Sequence, residues 1–401
     1  MQVRRFGLLG ALALLLVSPC IVKAEEPAPA AAAVEKEQQA GHSHHGEVFN
    51  EGPRQKAYLM GTTGNVSLKV TTKSPEAQEF FNQGVGQLHG FWYLEAERSF
   101  RQVAALDPDC AMAYWGMAMA NVENEKRGRG FIEEAVKRKA SASPREQLWI
   151  DGLAAFYKAG EDKKNRDEER RRREYLRALE KIVHEYPDEV EAKAFLGVRI
   201  WQYDRYLPIG SHEAVDALLR EVHAVNPMHP AHHYRIHLWD HEKPERALKS
   251  ASLCGQSAPG IAHMWHMPGH TYTRVKRYAD AAWQQEASAR VDHAHMMRDR
   301  VMPDQIHNYA HNNDWLVENL AYIGRVRDSI DLAKNLVELP RHPRYNTLNS
   351  RGSGKMGRER LFQFLPPYEL WDELIALCHA PYLEPTDNED DQVKRLRALG
   401  A

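Results

Sequence analysis

The chain has 401 residues, of which 43% are hydrophobic and 27% charged, and its formal net charge is -2. A chain of this length can bury a large core, or stack many small units, without disulfides or metal ions for stability. The near-neutral charge balance, and the lack of a basic stripe interleaved with aromatic residues, argue against nucleic acid as a partner.

The N-terminal segment predicts export. Arg4 and Arg5 precede an apolar run, Phe6 to Val17, that is too short to span a bilayer comfortably, and small residues follow at Val22 and Ala24. Residues 1–24 therefore read as a cleaved signal peptide, which implies a periplasmic or secreted protein without a transmembrane segment in the mature chain. Exported protein is expected to begin near Glu25. Mass spectrometry that found intact Met1, or a lipid on Cys20, would contradict this.

Two further segments are predicted to lie outside the globular part. Residues 25–56 are rich in Ala, Pro and Glu, include the His tract "HSHH", and carry no apolar period, so they predict a disordered linker. Residues 386–401 form a charged tail. The cysteines that remain after the signal, Cys110, Cys254 and Cys378, are widely spaced and odd in number, so no disulfide framework follows from them.

An internal repeat organises residues 57–385. In "FFNQGVGQLHGFWYLEAERSFRQVAALDP" an aromatic residue, a glycine four positions later, an Ala-x-x-x-Phe pair and a proline fall in the 34-residue tetratricopeptide frame. "WHMPGHTYTRVKRYADAA" repeats the first part of that frame. Pro227 and Pro259 lie 32 residues apart, close to one period, and the 79 residues from Pro108 to Pro187 suit two longer repeats. The pattern predicts an all-α solenoid of helical hairpins.

The repeat segments also resemble a known group. "GFWYLEAERSFRQVAALDPDCAMAYWGMAMAN", "HHYRIHLWDHEKPERAL" and "HMWHMPGHTYTRVKRYADA" are similar to signatures of exported bacterial tetratricopeptide repeat proteins of unestablished function. The resemblance implies a tetratricopeptide repeat scaffold in which the first helix of each hairpin lines a concave groove. It implies no reaction and names no partner.

Two shorter segments give local expectations. "GTTGNVSLKVTT", residues 61–72, predicts a short strand or hairpin ahead of the first repeat. "RGSGKMGRER", residues 351–360, lacks the spacing and the preceding strand of a phosphate-binding loop, so it predicts a mobile surface loop.

Histidine is concentrated in one part of the chain. Thirteen of the 21 histidines lie between His223 and His311. Helical geometry places residues three and four apart on one face, so the repeat frame puts several of these rings on the predicted groove. One register selects His229 and His232 on the first of these helices, and a slip of one residue selects His233 and His237. The candidate metal ligands are His233, His237, His263, His266, His270 and His311, and the candidate groove-binding residues are Arg274, Asp240, Asp314 and Glu318.

Three interpretations of these histidines follow from the sequence. The pairs His233/His237 and His266/His270 can supply three or four imidazoles to a divalent transition metal, namely Zn, Cu, Ni or Fe. The rings can instead only pack between helices, or form a groove for an anion or an acidic peptide with Arg274. The sequence as a whole predicts an exported binding or assembly module with a protein or peptide partner. The alternative is a metal-binding protein or a metal-dependent oxidoreductase or hydrolase, although no HExxH motif is present.

Overall fold

The computed structural model describes residues 56–122, 124–158, 168–303, 306, 308–340, 352–377 and 382. The predicted signal peptide, all but one residue of the predicted linker, and the predicted tail lie outside the described residues. The described part is all-α, as the repeat pattern predicts. Its helices, in chain order, are α1 (Pro75–His89), α2 (Tyr93–Leu106), α3 (Ala111–Met119), α4 (Glu125–Arg138), α5 (Pro144–Lys158), α6 (Glu168–Glu185), α7 (Val190–Gln202), α8 (His212–Val225), α9 (His232–Trp239), α10 (Leu248–Ser257), α11 (Ala262–Arg274), α12 (Tyr278–Asp299), α13 (Tyr309–Tyr322), α14 (Val326–Glu338), α15 (Ser353–Phe364) and α16 (Trp371–Leu377).

Consecutive helices pack as hairpins from α1/α2 to α13/α14, and successive first helices pack side by side, as in α7 with α9, α9 with α11 and α11 with α13. Four even-numbered helices end two residues before a proline, because proline cannot continue the hydrogen-bonded helix. These prolines are Pro108, Pro187, Pro227 and Pro259. The 79-residue gap between the first two holds two hairpins, α3/α4 and α5/α6, as predicted.

Small residues of the repeat frame allow the helices of a hairpin to approach closely. A Cβ atom on Gly84 of α1 would lie 2.7 Å from the ring of Phe100 on α2. Phe100 and Ala96 are fully buried, so this helix pair closes over the glycine. The frame residues of the sequence are therefore the packing residues of the hairpin.

The strand predicted at residues 61–72 is wrong, since no strand forms in this described segment. Side chains on helices satisfy its backbone instead. Leu68 N donates to Asn82 Oδ1 at 3.2 Å, and Val70 N donates to Gln78 Oε1 at 2.9 Å. The extended segment finds its acceptors on α1, so it needs no partner strand.

The surface loop predicted at residues 351–360 is also wrong. From Ser353 onward this segment is the helix α15, which packs on α14. A Cβ atom on Gly357 would lie 2.5 Å from the carbonyl oxygen of Ala333. The glycines that suggested a loop therefore include one that permits two helix backbones to meet.

None of the helices in the described part of the chain combines the length and the apolar character that crossing a membrane requires.

Candidate metal centre

The six predicted histidines come together as two clusters of three. His233, His237 and His263 form one cluster, which we call the first triad. His266, His270 and His311 form the other, the second triad. Within each triad, one ring nitrogen from every member lies within 4.8 Å of the others.

Three neighbouring first helices supply these rings. Helix α9 carries His233 and His237, α11 carries His263, His266 and His270, and α13 carries His311. The spacing of three and four residues keeps the side chains of each helix on one face. The sequence suggested that the two i, i+4 pairs share one ion, whereas the structure places each pair in a different triad.

In the second triad, Nδ1 of two rings has an acceptor fixed by its surroundings. His266 Nδ1 lies 2.7 Å from Gln285 Oε1, and the amide of Gln285 is oriented because its Nε2 donates to the His266 carbonyl oxygen at 3.2 Å. His270 Nδ1 lies 3.3 Å from Asp240 Oδ2. Both Nδ1 atoms therefore carry the proton and donate it.

This assignment leaves lone pairs on the other nitrogens. In the neutral rings, His266 Nε2 and His270 Nε2 are both acceptors, yet they lie 2.8 Å apart. Two lone pairs at this distance repel each other unless a cation lies between them, either a metal ion or a proton on one of the rings. Two imidazoles on one tetrahedral ion at 2.0–2.1 Å have nitrogens about 3.3 Å apart, so a shift of a few tenths of an ångström admits a metal ion.

The first triad is satisfied only in part. His233 Nδ1 donates to the backbone oxygen of His89 at 2.7 Å, and its Nε2 lies 3.0 Å from His263 Nε2. Asn308 Nδ2 lies 3.3 Å from His263 Nδ1. His237 Nε2 is buried and has no hydrogen-bond partner among the described residues. A buried nitrogen without a partner is costly, and a metal ion would satisfy it.

Aromatic side chains wall both triads. Phe91 has a φ of 56°, which is unfavourable for a bulky residue, and its ring centre lies 4.4 Å from that of His233. Trp201 stacks on His237 at 4.1 Å, and Trp315 stacks on His270 at 4.0 Å. These rings fix the orientation of the imidazoles and exclude water from one side of each.

Burial keeps imidazoles of both triads neutral. Desolvation lowers the pKa of His233 to about 3, and it lowers the pKa of His237 and His266 well below the ordinary value. Neutral imidazole is the form that binds a metal ion. These three rings therefore do not supply positive charge to an anion at neutral pH.

A third cluster is formed by His89, Glu191 and His229, of which the sequence singled out only His229. His89 Nε2 and His229 Nε2 both face the buried carboxylate of Glu191, at 2.6 and 3.2 Å. His89 Nδ1 contacts the hydroxyl of Tyr234 at 2.6 Å, and His229 Nδ1 accepts from Ala231 N at 3.0 Å. The flanking imidazoles lower the pKa of Glu191 despite its burial. Every ring nitrogen of this cluster has a partner.

The buried histidines outside the triads predict an acid-sensitive fold. His223 and His232 stack with ring centres 3.9 Å apart, and burial lowers their pKa to about 2 and about 4. The unfolded chain, with a histidine pKa of about 6.5, takes up protons first as the pH falls, so stability is lost between pH 6.5 and the folded pKa. At pH 5 each of the two is expected to cost on the order of 2 kcal/mol relative to neutral pH. Urea unfolding at both pH values measures this loss. The variant His223→Gln should lose less than the parent, and an equal loss in both would contradict the assignment.

The predicted groove-binding residues lie in ion pairs or near them. Asp240 holds His270, and Arg274 Nε lies 3.7 Å from Asp240 Oδ1. Asp314 and Glu318 both bond to Arg360, which reaches them from α15. Their predicted role in binding a partner stays a prediction.

A cavity of about 380 Å³ borders the second triad. His311 forms part of its wall, and the remaining lining is mainly charged and polar. It lies between α13 and α15, and its other lining residues are Asp314, Lys355, Met356, Glu359, Arg360 and Gln363.

Comparisons with known proteins add little to this picture. No protein-family model matches the chain, and no curated protein matches it. A crystal structure of the P58(IPK) TPR domain is similar to 81% of this chain and 97% of that chain, with 12% sequence identity and a TM-score of 0.21. Because that TM-score is low, the fold assignment depends on the helix packing described above. On that packing, the chain is a helical-repeat protein of tetratricopeptide-like hairpins.

Proposed function

We propose that this protein binds transition-metal ions through the two histidine triads. The observation that carries the proposal is the pair of Nε2 atoms of His266 and His270, which face each other at 2.8 Å while Gln285 and Asp240 hold both Nδ1 protons. A metal-binding histidine usually donates the N–H of its other ring nitrogen to an oxygen acceptor, which fixes the tautomer and raises the basicity of the ligand.

The two other interpretations of the histidines account for less. In the cluster around Glu191, each ring nitrogen of His89 and His229 has a donor or an acceptor. The first triad departs from that cluster, since His237 Nε2 has no hydrogen-bond partner among the described residues, a feature that His223 Nε2 outside the triads shares. An anion groove needs cationic rings, and burial keeps three of the six neutral. Arg274, the cation of that predicted groove, already contacts His241 and lies near Asp240.

The ligand sets suit a borderline metal. Imidazole binds Zn, Cu, Ni and Fe well, and none of the six ligands is a carboxylate. An ion held by three histidines keeps a fourth coordination position for an exogenous ligand, as in catalytic zinc sites. The cavity beside His311 is what favours a metal-dependent enzyme as a second candidate.

Elemental analysis of untagged protein tests the proposal. Protein grown in medium supplemented with Zn, Cu, Ni and Fe is expected to retain stoichiometric metal, and stripping the metal should lower the melting temperature. Preferential binding to the folded state adds about 2.7 kcal/mol of stability when free metal is 100 times the Kd. Metal-free protein from that medium, with a melting temperature that added metal leaves unchanged, would refute the proposal.

Export, and the role of a protein-binding or assembly module, stay predictions from the sequence. The repeat scaffold supports a protein or peptide partner only by its class, because helical repeats present extended surfaces. A metal-binding role and a partner-binding role are compatible in one chain.

A further inference from the structure

We propose that the two triads hold a coupled pair of copper ions that binds dioxygen between them. This inference rests on the proposed function and goes beyond it by naming the metal, the number of ions and the small ligand.

The two triads are adjacent. His263 of the first triad and His266 of the second lie on the same face of α11, and their rings stack with centres 5.7 Å apart. An ion about 2 Å from a ligating nitrogen lies roughly 3 Å from the centre of that ring, so the two ions lie at most roughly 12 Å apart, and a shared dioxygen requires the arrangement in which both ions lie between the triads. The ring centres of His237 and His263, both in the first triad, lie 6.1 Å apart, so the first site is compact.

The charges around the triads favour monovalent ions. None of the six ligands is a carboxylate, and His233 and His266 are buried, so the cost of placing ions there rises steeply with ionic charge. Two Cu(I) ions bring two positive charges, whereas two Zn(II) or Fe(II) ions bring four. Asp240 is the carboxylate in contact with one of the ligands, His270, and Arg274 Nε lies 3.7 Å from it, so Asp240 offsets at most one positive charge. Two Cu(I) ions therefore cost less to place beside these ligands than two divalent ions.

Ligand type agrees with copper. Nitrogen sites bind Cu(II) more strongly than the other divalent ions of the first transition series, so the centre keeps its metal after oxidation. Each ion has three protein ligands, which leaves coordination positions open for a small molecule. The cavity at His311 gives that molecule a path to the second triad.

The two Cu(I) ions supply both electrons that reduce dioxygen to peroxide, so no other reductant is needed. Each Cu(I) gives one electron to dioxygen, which forms two Cu(II) ions and one peroxide that bridges them. No proton is consumed in this step. Release in acid takes two protons and gives hydrogen peroxide and two free Cu(II) ions.

Anaerobic loading of the full chain with Cu(I), followed by exposure to air, tests the proposal. We expect two copper ions per chain and the uptake of one dioxygen per pair. A near-ultraviolet charge-transfer band should appear, with no electron paramagnetic resonance signal, because the two Cu(II) spins couple through the peroxide. Acid denaturation should then release the full Cu(II) signal and hydrogen peroxide.

Variants connect these signals to the triads. His237→Ala and His311→Ala each damage one triad, so each should leave about one copper ion, an uncoupled Cu(II) signal in air and no charge-transfer band. His184→Ala, at an exposed position on α6, is the matched control and should behave as the parent. Circular dichroism and melting of the metal-free variants establish that they fold.

The outcomes separate the two proposals. Two copper ions with the full uncoupled signal in air, one ion per parent chain, or no uptake of dioxygen would overturn the coupled pair and leave metal binding intact. A parent protein that binds no copper and no other transition metal would overturn both.

Discussion

The double substitution His266→Ala with His270→Ala is expected to remove all metal from the second triad. These two residues supply the facing Nε2 atoms, and His311 alone cannot hold an ion tightly. Metal content should fall by at least half, and the stabilisation that metal gives to the parent should shrink accordingly. Elemental analysis after exhaustive dialysis, with melting curves recorded in the presence and absence of metal, measures both effects.

A matched double variant controls for the loss of buried rings. His223→Ala with His232→Ala removes two stacked histidines outside the triads, so it should cost roughly 1–3 kcal/mol per site and leave the metal content unchanged. If His266 and His270 only pack, their removal should resemble this control. Full metal retention after their removal would disprove the site.

Glu191→Ala is expected to cost about 3–5 kcal/mol of folding free energy, the largest effect of any single substitution considered for this protein. The carboxylate is buried and is the shared partner of His89 and His229. Its removal leaves two buried imidazole N–H groups without an acceptor. Urea denaturation of the metal-free protein at neutral pH, with folding followed by circular dichroism, measures the change.

Glu180→Ala is the control for this prediction, and Glu191→Gln is the conservative variant. Glu180 is exposed on α6, so its substitution should change stability by no more than about 0.5 kcal/mol. Glutamine at position 191 keeps the shape and one acceptor oxygen, so it should cost less than alanine. A loss of under about 1 kcal/mol in Glu191→Ala would show that the buried cluster does not stabilise the fold.

Several features of the fold follow from local sequence rules. Proline disfavours continuation of a helix, so Pro108, Pro187, Pro227 and Pro259 mark helix ends in the sequence, although Pro268 lies inside α11. The Gly84 and Phe100 positions predict the close packing of α1 on α2 for a similar reason, since they act within one hairpin. Local rules failed at residues 61–72 and at Gly357, because the deciding contacts there come from another helix.

The histidine clusters also depend partly on the local sequence and partly on contacts between separate helices. Helical spacing in the sequence determined which rings share a face, and all six predicted ligands lie in the two triads. The tertiary structure decided how they divide, because the side-by-side packing of α9, α11 and α13 selects the neighbours. It also decided the partners Gln285 and Asp240, and it joined His89 to Glu191 across 102 positions of the chain. Periodicity fixes the direction of a side chain along its own helix, whereas the atom that it meets depends on how separate helices pack.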